Sequence, residues 1–372
     1  MVSKNLGVPK SKRIIFLIIG LFFVFTNLLW ECIHIENFLP NIVDIPSPPE
    51  EQKLEVPDDP RIHFIHIGKA GGITFEGSLG LHRKTGEVKC NVRNKDGNNT
   101  NTNTNNCSVN KARDSQLFNH TIGKYHMWGG NYNKEEKEWM LNNSNVFLYT
   151  VRHPIDRLIS TYNYHRQDYS NATQFAGFAK FHHECFPSGM DHMISTLQKS
   201  NDTERSCIDL GKKVLTAQIG SGGWHFQLGY EFYYKYTYAT YANHSVAVLR
   251  TEHMWDDIIN LDRLLGGSGN FSMAGHKHSH GSGNYTVPYD SKLSEPNTIY
   301  LCCLIYKEIH VYQEMILNAF NLNASQKKAS LTDLHYRCHT ADNIAKDIDI
   351  SLDAPYSWYD FRSSTTCTSL IT

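Results

Sequence analysis

The chain has 372 residues, 40% hydrophobic and 20% charged, which excludes collagen-like and wholly disordered sequences and suits one large domain with appendages or about two to three smaller ones. With 36 Lys and Arg against 37 Asp and Glu, the formal charge is −1. That balance excludes a general nucleic-acid binder, whose phosphate contacts leave a strongly basic domain.

Residues 1–13 carry Lys4, Lys10, Lys12 and Arg13, and the apolar run that follows extends over 14–35. As a helix it is long enough to cross a bilayer, and the preceding basic residues predict a cytoplasmic tail with everything beyond about residue 35 on the lumenal or extracellular side. No small-x-small cleavage site follows; Trp30, Glu31 and Cys32 stand there instead, so a signal anchor is expected rather than a cleaved signal peptide. Residues 36–60 hold Pro40, Pro46, Pro48, Pro49, Pro57 and Pro60 among acidic residues, the composition of an extended stem.

Ile62 to Ile67 reads as a short buried strand, followed by a glycine-rich turn and a helix from about Thr74. Residues 91–110 form an Asn/Thr-rich tract, expected as an exposed insertion. Val146 to Val151 and Ser245 to Leu249 are further apolar, β-branched runs, each leading into a helical pattern, and a long helix is expected from about Glu295 to Phe320. Strand followed by helix, several times over, predicts an α/β fold with a central, mainly parallel sheet. There is no internal repeat.

Asn-x-Ser/Thr sequons begin at Asn98, Asn106, Asn119, Asn142, Asn171, Asn201, Asn243, Asn270, Asn284 and Asn323. Beyond Cys32, the cysteines form an even set: Cys90, Cys107, Cys185, Cys207, Cys302, Cys303, Cys338 and Cys367. Both features suit an oxidising, lumenal compartment. Connectivity is not legible; Cys90 with Cys107 and Cys185 with Cys207 are the simplest local pairings, and no Cys/His spacing favours zinc.

Two constellations carry chemistry. His66-Ile67-Gly68-Lys69-Ala70-Gly71-Gly72-Ile73-Thr74 lies between the first strand and the first helix. Glycines there let backbone N–H groups approach an anion, the helix start adds its dipole, and Lys69 adds a full charge. It is not a Walker A loop, because the lysine precedes Gly71 and Gly72. The second is Tyr149 through Tyr162, which puts Arg152 at a strand's carboxyl end and Ser160 two helical turns on. Carboxyl ends of parallel strands face the ligand crevice, so the two predict a second anion site and hence a doubly phosphorylated ligand.

The pair Gly-Lys-x-Gly-Gly-x-Thr and Arg-x-x-x-x-Arg-x-x-Ser resembles the two signatures of sulfotransferases that use 3′-phosphoadenosine 5′-phosphosulfate. Anchor, stem and sequons resemble the Golgi carbohydrate sulfotransferases, particularly the heparan and dermatan uronyl 2-O-sulfotransferase group. The resemblance covers about residues 61 to 320, and implies a three-layer, P-loop-like α/β domain over 61–325 with a C-terminal extension over 326–372. It implies that Gly68, Lys69, Ala70, Gly71, Gly72, Ile73 and Thr74 form the 5′-phosphosulfate loop and that Arg152 and Ser160 hold the 3′-phosphate. Ile73 departs from the usual small polar residue. The Arg250-Thr251-Glu252 junction and the helix with Glu308 and Tyr312 also look like later elements of the family. A glycan acceptor and a Golgi membrane location are implied, with no metal ion and no nucleic acid.

Sulfuryl transfer needs a base for the acceptor hydroxyl, and histidine titrates in the right range. His126, in Gly123-Lys124-Tyr125-His126-Met127-Trp128-Gly129, lies between the two motifs, as does the family's histidine segment; His66, His120, His165 and Glu76 are competitors. Gly222 to Phe226 and the tyrosines from Tyr230 to Tyr241 are candidate platforms for sugar rings or, equally, core packing. Two other classes share the anchor and stem. A type II glycosyltransferase would need an Asp-x-Asp, present only as Asp347-Ile348-Asp349; a catalytically idle glycan-binding protein would not need Lys69 and Arg152. The 20 His, partly charged in a mildly acidic lumen, are expected to shift the net charge upward.

Overall fold

Four strands form one parallel sheet in the order β2-β1-β3-β4, where β1 is Ile62–Ile65, β2 Thr121–Tyr125, β3 Val146–Val151 and β4 Ser245–Arg250. The computed structural model describes residues 56, 59–72, 75, 115–125, 138, 141–168, 176–199, 205–218, 224–240, 243–270, 292–339, 352 and 356–371. All of them fall within one unit, Lys53–Thr372. The tail, the anchor, most of the stem, the tract 91–110, Ile73, Thr74, His126, Cys90, Cys107 and Asp347 to Asp349 lie outside the described residues. Among the described residues no helix is long and apolar enough to cross a membrane.

β3 is buried along its whole length, and its side chains divide between two cores according to the two-residue period of a strand. Phe147, Tyr149 and Val151 join one cluster; Val146 and Leu148 join the other. On the second face the strands pack against Leu117 of α1 (Gln116–His120) and against Met254, Ile258 and Leu261 of α8 (Met254–Leu264). The first face carries the larger helical layer: α2 (Pro154–Asp168), α3 (Ala176–Ala179) running into a π-helical turn Lys180–Cys185, α4 (Met190–Leu197), α5 (Arg205–Leu215), α6 (Trp224–Gln227) and α7 (Tyr230–Tyr236). After α8 the chain adds α9 (Glu295–Leu304), α10 (Tyr306–Asn318), α11 (Ala324–Cys338), α12 (Trp358–Ser363) and α13 (Thr365–Ile371). Helices on both faces of a parallel sheet give the expected α/β layering.

Two elements differ from the sequence expectation. β2 has no apolar run, reading Thr-Ile-Gly-Lys-Tyr, and is recruited by pairing with β1 rather than by its own hydrophobicity. The long helix expected from Glu295 to Phe320 is two helices, α9 and α10, separated at Ile305 (φ −102°, ψ 23°). Apolar periodicity runs through that break because Ile305 and Ile309 are both buried in one core.

Cys185–Cys207 is a disulfide, the local pairing expected, and adjacent Cys302 and Cys303 pair with Cys338 and Cys367. The last two tie α9 to α11 and α13, so Leu334, Trp358 and Phe361 complete the same core as the sheet. The outer edge of β4 is closed by a side chain. Asn321 accepts from the Val248 N–H and donates to the Val248 carbonyl, each at 2.8 Å, while the Phe320 N–H bonds the Val246 carbonyl at 3.0 Å. Asn321 thus occupies the place of a fifth strand's peptide group.

His63, fully buried in β1, has its pKa lowered to about 3 by burial and then by the neighbouring His244. The unfolded chain takes up a proton near pH 6.5 while the folded one does not, so stability falls as pH drops from about 6.5 toward 3. At pH 5 this site accounts for about 2 kcal/mol, and urea titrations of His63→Leu should show a pH slope shallower than wild type by about one proton in that window. Replacing Asn321 with Ala leaves buried backbone groups of Val248 unpaired and should lower unfolding free energy by about 2 kcal/mol, read from the urea midpoint at unchanged slope.

Candidate functional site

β1 pairs with β2 on one side and β3 on the other, so the chain reverses direction across the sheet between β1 and β3. Ligand crevices of open parallel sheets lie at this switch point, outside the strands' carboxyl ends. Ile65 stands beside Tyr149 in the register, so the residues following each, the Gly68 to Gly72 loop and Arg152, leave the sheet at the same end.

In the loop Lys69 (φ 66°) and Gly71 (φ 83°) both take the left-handed conformation. Helix begins at Gly72, and the Phe75 N–H bonds the Gly71 carbonyl at 3.2 Å. Each glycine is required by a neighbour. A Cβ on Gly68 would meet His225 Cδ2 at 2.1 Å, one on Gly71 would meet Met254 Cε at 2.4 Å, and one on Gly72 would meet His66 Cδ2 at 2.2 Å. Sequence reasoning assigned these glycines to ligand approach; packing of three side chains around the loop demands them first. What remains for an anion is the backbone. Among the described residues no acceptor meets the N–H of Gly68, Gly71 or Gly72, although Gly68 and Gly72 are buried. Buried unpaired donors beside a lysine are the groups an anionic ligand would satisfy.

Arg152 is fixed by its backbone. Its N–H donates to the Tyr230 hydroxyl at 2.9 Å, and that hydroxyl donates to the Arg152 carbonyl at 2.5 Å. Burial pushes the Tyr230 phenol well above its usual range, keeping the donated proton in place. The half-buried Arg152 guanidinium has no hydrogen bond or ion pair to any described residue, and neither does the half-buried Ser160 hydroxyl on α2. A peptide clamped on both sides with its charged end unpaired suits an incoming anionic oxygen.

His153 starts α2. Its Nδ1 accepts from the Ile155 N–H at 3.3 Å, and burial, followed by Arg337, lowers its pKa to about 3, so the imidazole stays neutral and able to accept. One turn on, Asp156 makes a two-pronged pair with Arg337 of α11 at 2.7 and 2.8 Å. Arg157, the second arginine of the motif, faces inward. It is 1% exposed, donates to Glu308 at 3.0 Å and to the His225 carbonyl at 2.9 Å, and lies 4.9 Å from the Tyr230 ring centroid. Glu308 also accepts the N–H groups of Tyr230 and Glu231 at 2.7 and 3.0 Å, capping α7.

Other expectations resolve differently. Arg250 is spent on structure: it pairs with buried Asp257 through three bonds of 2.6 to 2.9 Å and reaches Gln326 and Ser330 of α11. The tyrosine-rich run is helical over Tyr230–Tyr236, with Tyr230 and Tyr233 in the core and Tyr236 exposed. Among the competing bases, His165 is fully buried and held well below its ordinary pKa by burial, His182 and Lys69; His66 is buried as well. Sequence reasoning passed over Tyr230 as the Arg152 clamp and His225 as the wall of the glycine loop, and no local signal marks either.

The arrangement is a parallel α/β domain in which the loop of Lys69 and Arg152 lie at one switch point. Residues 52–219, which contain both motifs, match the family described as the sulfotransferase family. Searches of curated proteins and of solved structures each gave no match. The matched stretch, somewhat under half of the chain, is similar to sulfotransferase domains.

Removing one partner of the Arg157–Glu308 pair strands the other charge in the core. Arg157→Met should cost about 3 to 5 kcal/mol of unfolding free energy in urea titrations, and Glu308→Ala a similar amount with added fraying at the start of α7.

Proposed function

We propose that the protein is a Golgi sulfotransferase that moves the sulfuryl group of 3′-phosphoadenosine 5′-phosphosulfate to a hydroxyl of a glycan or glycoconjugate. The observation that carries this reading is the position of two groups at one end of the sheet: the loop of Lys69, whose Gly68, Gly71 and Gly72 N–H groups meet no acceptor among the described residues, and Arg152, whose guanidinium makes no hydrogen bond among them, beside the α2 helix of Ser160. Family membership of the kind matched over 52–219 typically goes with this donor. When bound, the donor supplies the sulfuryl group and leaves as a phosphate.

Lys69 and the loop N–H groups are placed to meet charge developing on the 5′ side, and Arg152 with Ser160 the 3′-phosphate. Ile73 and Thr74 complete the assigned loop. Sulfuryl transfer is chiefly a matter of alignment and of charge stabilisation on the leaving oxygen, so the protein forms no covalent bond. His126, the next residue in the sequence after β2, is the proposed acceptor of the hydroxyl proton. No metal ion enters the scheme.

The lumenal placement rests on the apolar segment 14–35, the Pro-rich stem, the sequons and the three disulfides among the described residues. Asn119, Asn142, Asn243, Asn270 and Asn323, the five sequon asparagines among the described residues, are all exposed, as glycosylation requires. Glycan specificity follows from the likeness to the uronyl 2-O-sulfotransferases.

The test is label transfer from radiolabelled donor to a glycan panel by the purified lumenal portion, with binding of the desulfated nucleotide measured alongside. Lys69→Ala should lower turnover about 10²- to 10³-fold. Arg152→Ala should weaken nucleotide binding at least about tenfold. His126→Ala should lower turnover about 10²-fold or more while nucleotide binding persists. Absence of both transfer and nucleotide binding in the wild-type protein overturns the proposal.

A further inference from the structure

Lys69 does not hang free from its loop. Its Nζ lies 3.8 Å from the centroid of the Tyr164 ring, inside the range at which a ring's negative face attracts a cation. Tyr164 is on α2, one turn beyond Ser160, and its ring meets two imidazoles edge-on: His165 at 5.2 Å and His225 at 5.4 Å. His225 in turn lies against the Cα of Gly68, the residue before Lys69, where a Cβ would collide with it. Behind it, His165 Nε2 and His225 Nδ1 are 3.0 Å apart. Arg157 holds the His225 carbonyl from below. One loop lysine is therefore bounded by a ring face, and the loop itself by a wedge that only glycine admits.

Resting on the sulfotransferase reading, we propose that Tyr164 is a positioning residue for Lys69: its ring, braced by the His165–His225 pair, forms a socket that holds the ammonium where the leaving phosphate is to be met. Three features fit this role. Lys69 has a left-handed backbone, so its side chain leaves the loop in a direction few residues adopt, and the socket lies in that direction. A lysine side chain has several rotatable bonds whose ordering would otherwise fall to the reaction step; a ring face orders the ammonium beforehand. Lastly, the wall behind the ring is uncharged at His165, which is buried and held neutral, so it does not repel the lysine. Neither motif reveals this socket, since Tyr164 lies outside the spacing from Arg152 to Ser160.

The experiment varies the ring's electron density without changing its shape. Phenylalanine, difluorophenylalanine and trifluorophenylalanine at position 164, together with Tyr164→Leu, would be compared in steady-state transfer and in methyl NMR of the protein bearing ¹³C-dimethylated lysines. The Lys69 signal is identified by its loss in Lys69→Arg. The socket predicts an upfield, ring-shifted Lys69 signal in wild type that returns to the ordinary position in Tyr164→Leu. It also predicts turnover roughly tenfold lower in Tyr164→Leu with the donor's KM within about twofold, most of the rate recovered by phenylalanine, and a stepwise fall along the fluorinated series. A Lys69 signal at the ordinary position in wild type, or turnover flat along the series, overturns the proposal; the series keeps it testable if Tyr164→Leu does not fold. A ring-shifted Lys69 signal in a protein that neither binds the desulfated nucleotide nor transfers sulfate supports the socket and overturns the sulfotransferase reading instead.

Discussion

The site depends on one buried ion pair, Arg157 with Glu308. The two residues are 151 positions apart, and neither is the group assigned to a ligand. Glu308 has its oxygens occupied by the Arg157 guanidinium and by two backbone N–H groups at the start of α7, so the carboxylate is paired as fully as a buried charge requires. Fixing the start of α7 fixes Tyr230, whose hydroxyl then grips both sides of the Arg152 peptide. The other arm of Arg157 holds the His225 carbonyl and so the imidazole that lies on Gly68. Gly229 belongs to the same device, because a Cβ there would come within 2.3 Å of Glu308 Oε2. From a single charge pair the structure thus reaches both ends of the proposed nucleotide site. A hydrophobic pair of equal volume could fill the space, but it could not hold three hydrogen bonds to two further segments, α6 and α7.

How much of this is legible in the sequence depends on whether the determining contacts are local. β1, β3 and β4 are fully buried strands of a parallel sheet, and such strands read as continuous apolar runs, which is why Ile62, Val146 and Ser245 mark their starts. Lys69, Arg152 and Ser160 are legible for a related reason: their distance from a strand end places them, and strand ends can be read. β2 is not legible, since pairing with β1 compensates for its weak hydrophobicity. The break at Ile305 is hidden because both helices bury the same kind of residue. Tyr230, Glu308 and His225 are beyond a sequence reading in a stronger sense, because each acts through a partner 68 to 151 residues away. The glycines illustrate a subtler limit. Sequence marks their positions, but the close approach of His225, Met254 and His66 that leaves no room for a Cβ there is named by no local pattern.

The histidine count invites a conclusion that the structure narrows for six of the twenty. Twenty histidines in a chain of net charge −1 suggest a protein that turns positive as the pH falls, and thereby gathers an anionic donor and an anionic glycan. Yet His63, His153, His165, His310, His335 and His339 all have pKa values moved down by burial, so they resist charging across the mildly acidic range. Their contribution there is a loss of folding stability, not a gain of surface charge. Nor are they incidental fillers. His153 must be neutral to accept a hydrogen bond at the start of α2, and His165 must be neutral to stand near Lys69 without repelling it. The anion recognition proposed above then falls chiefly to two cations held from behind, Arg152 through the Tyr230 hydroxyl and Lys69 through the Tyr164 ring. The neutral His165 adds no like charge beside Lys69, whereas Arg152 keeps the Asp156 and Glu252 carboxylates as neighbours with which an incoming phosphate would compete.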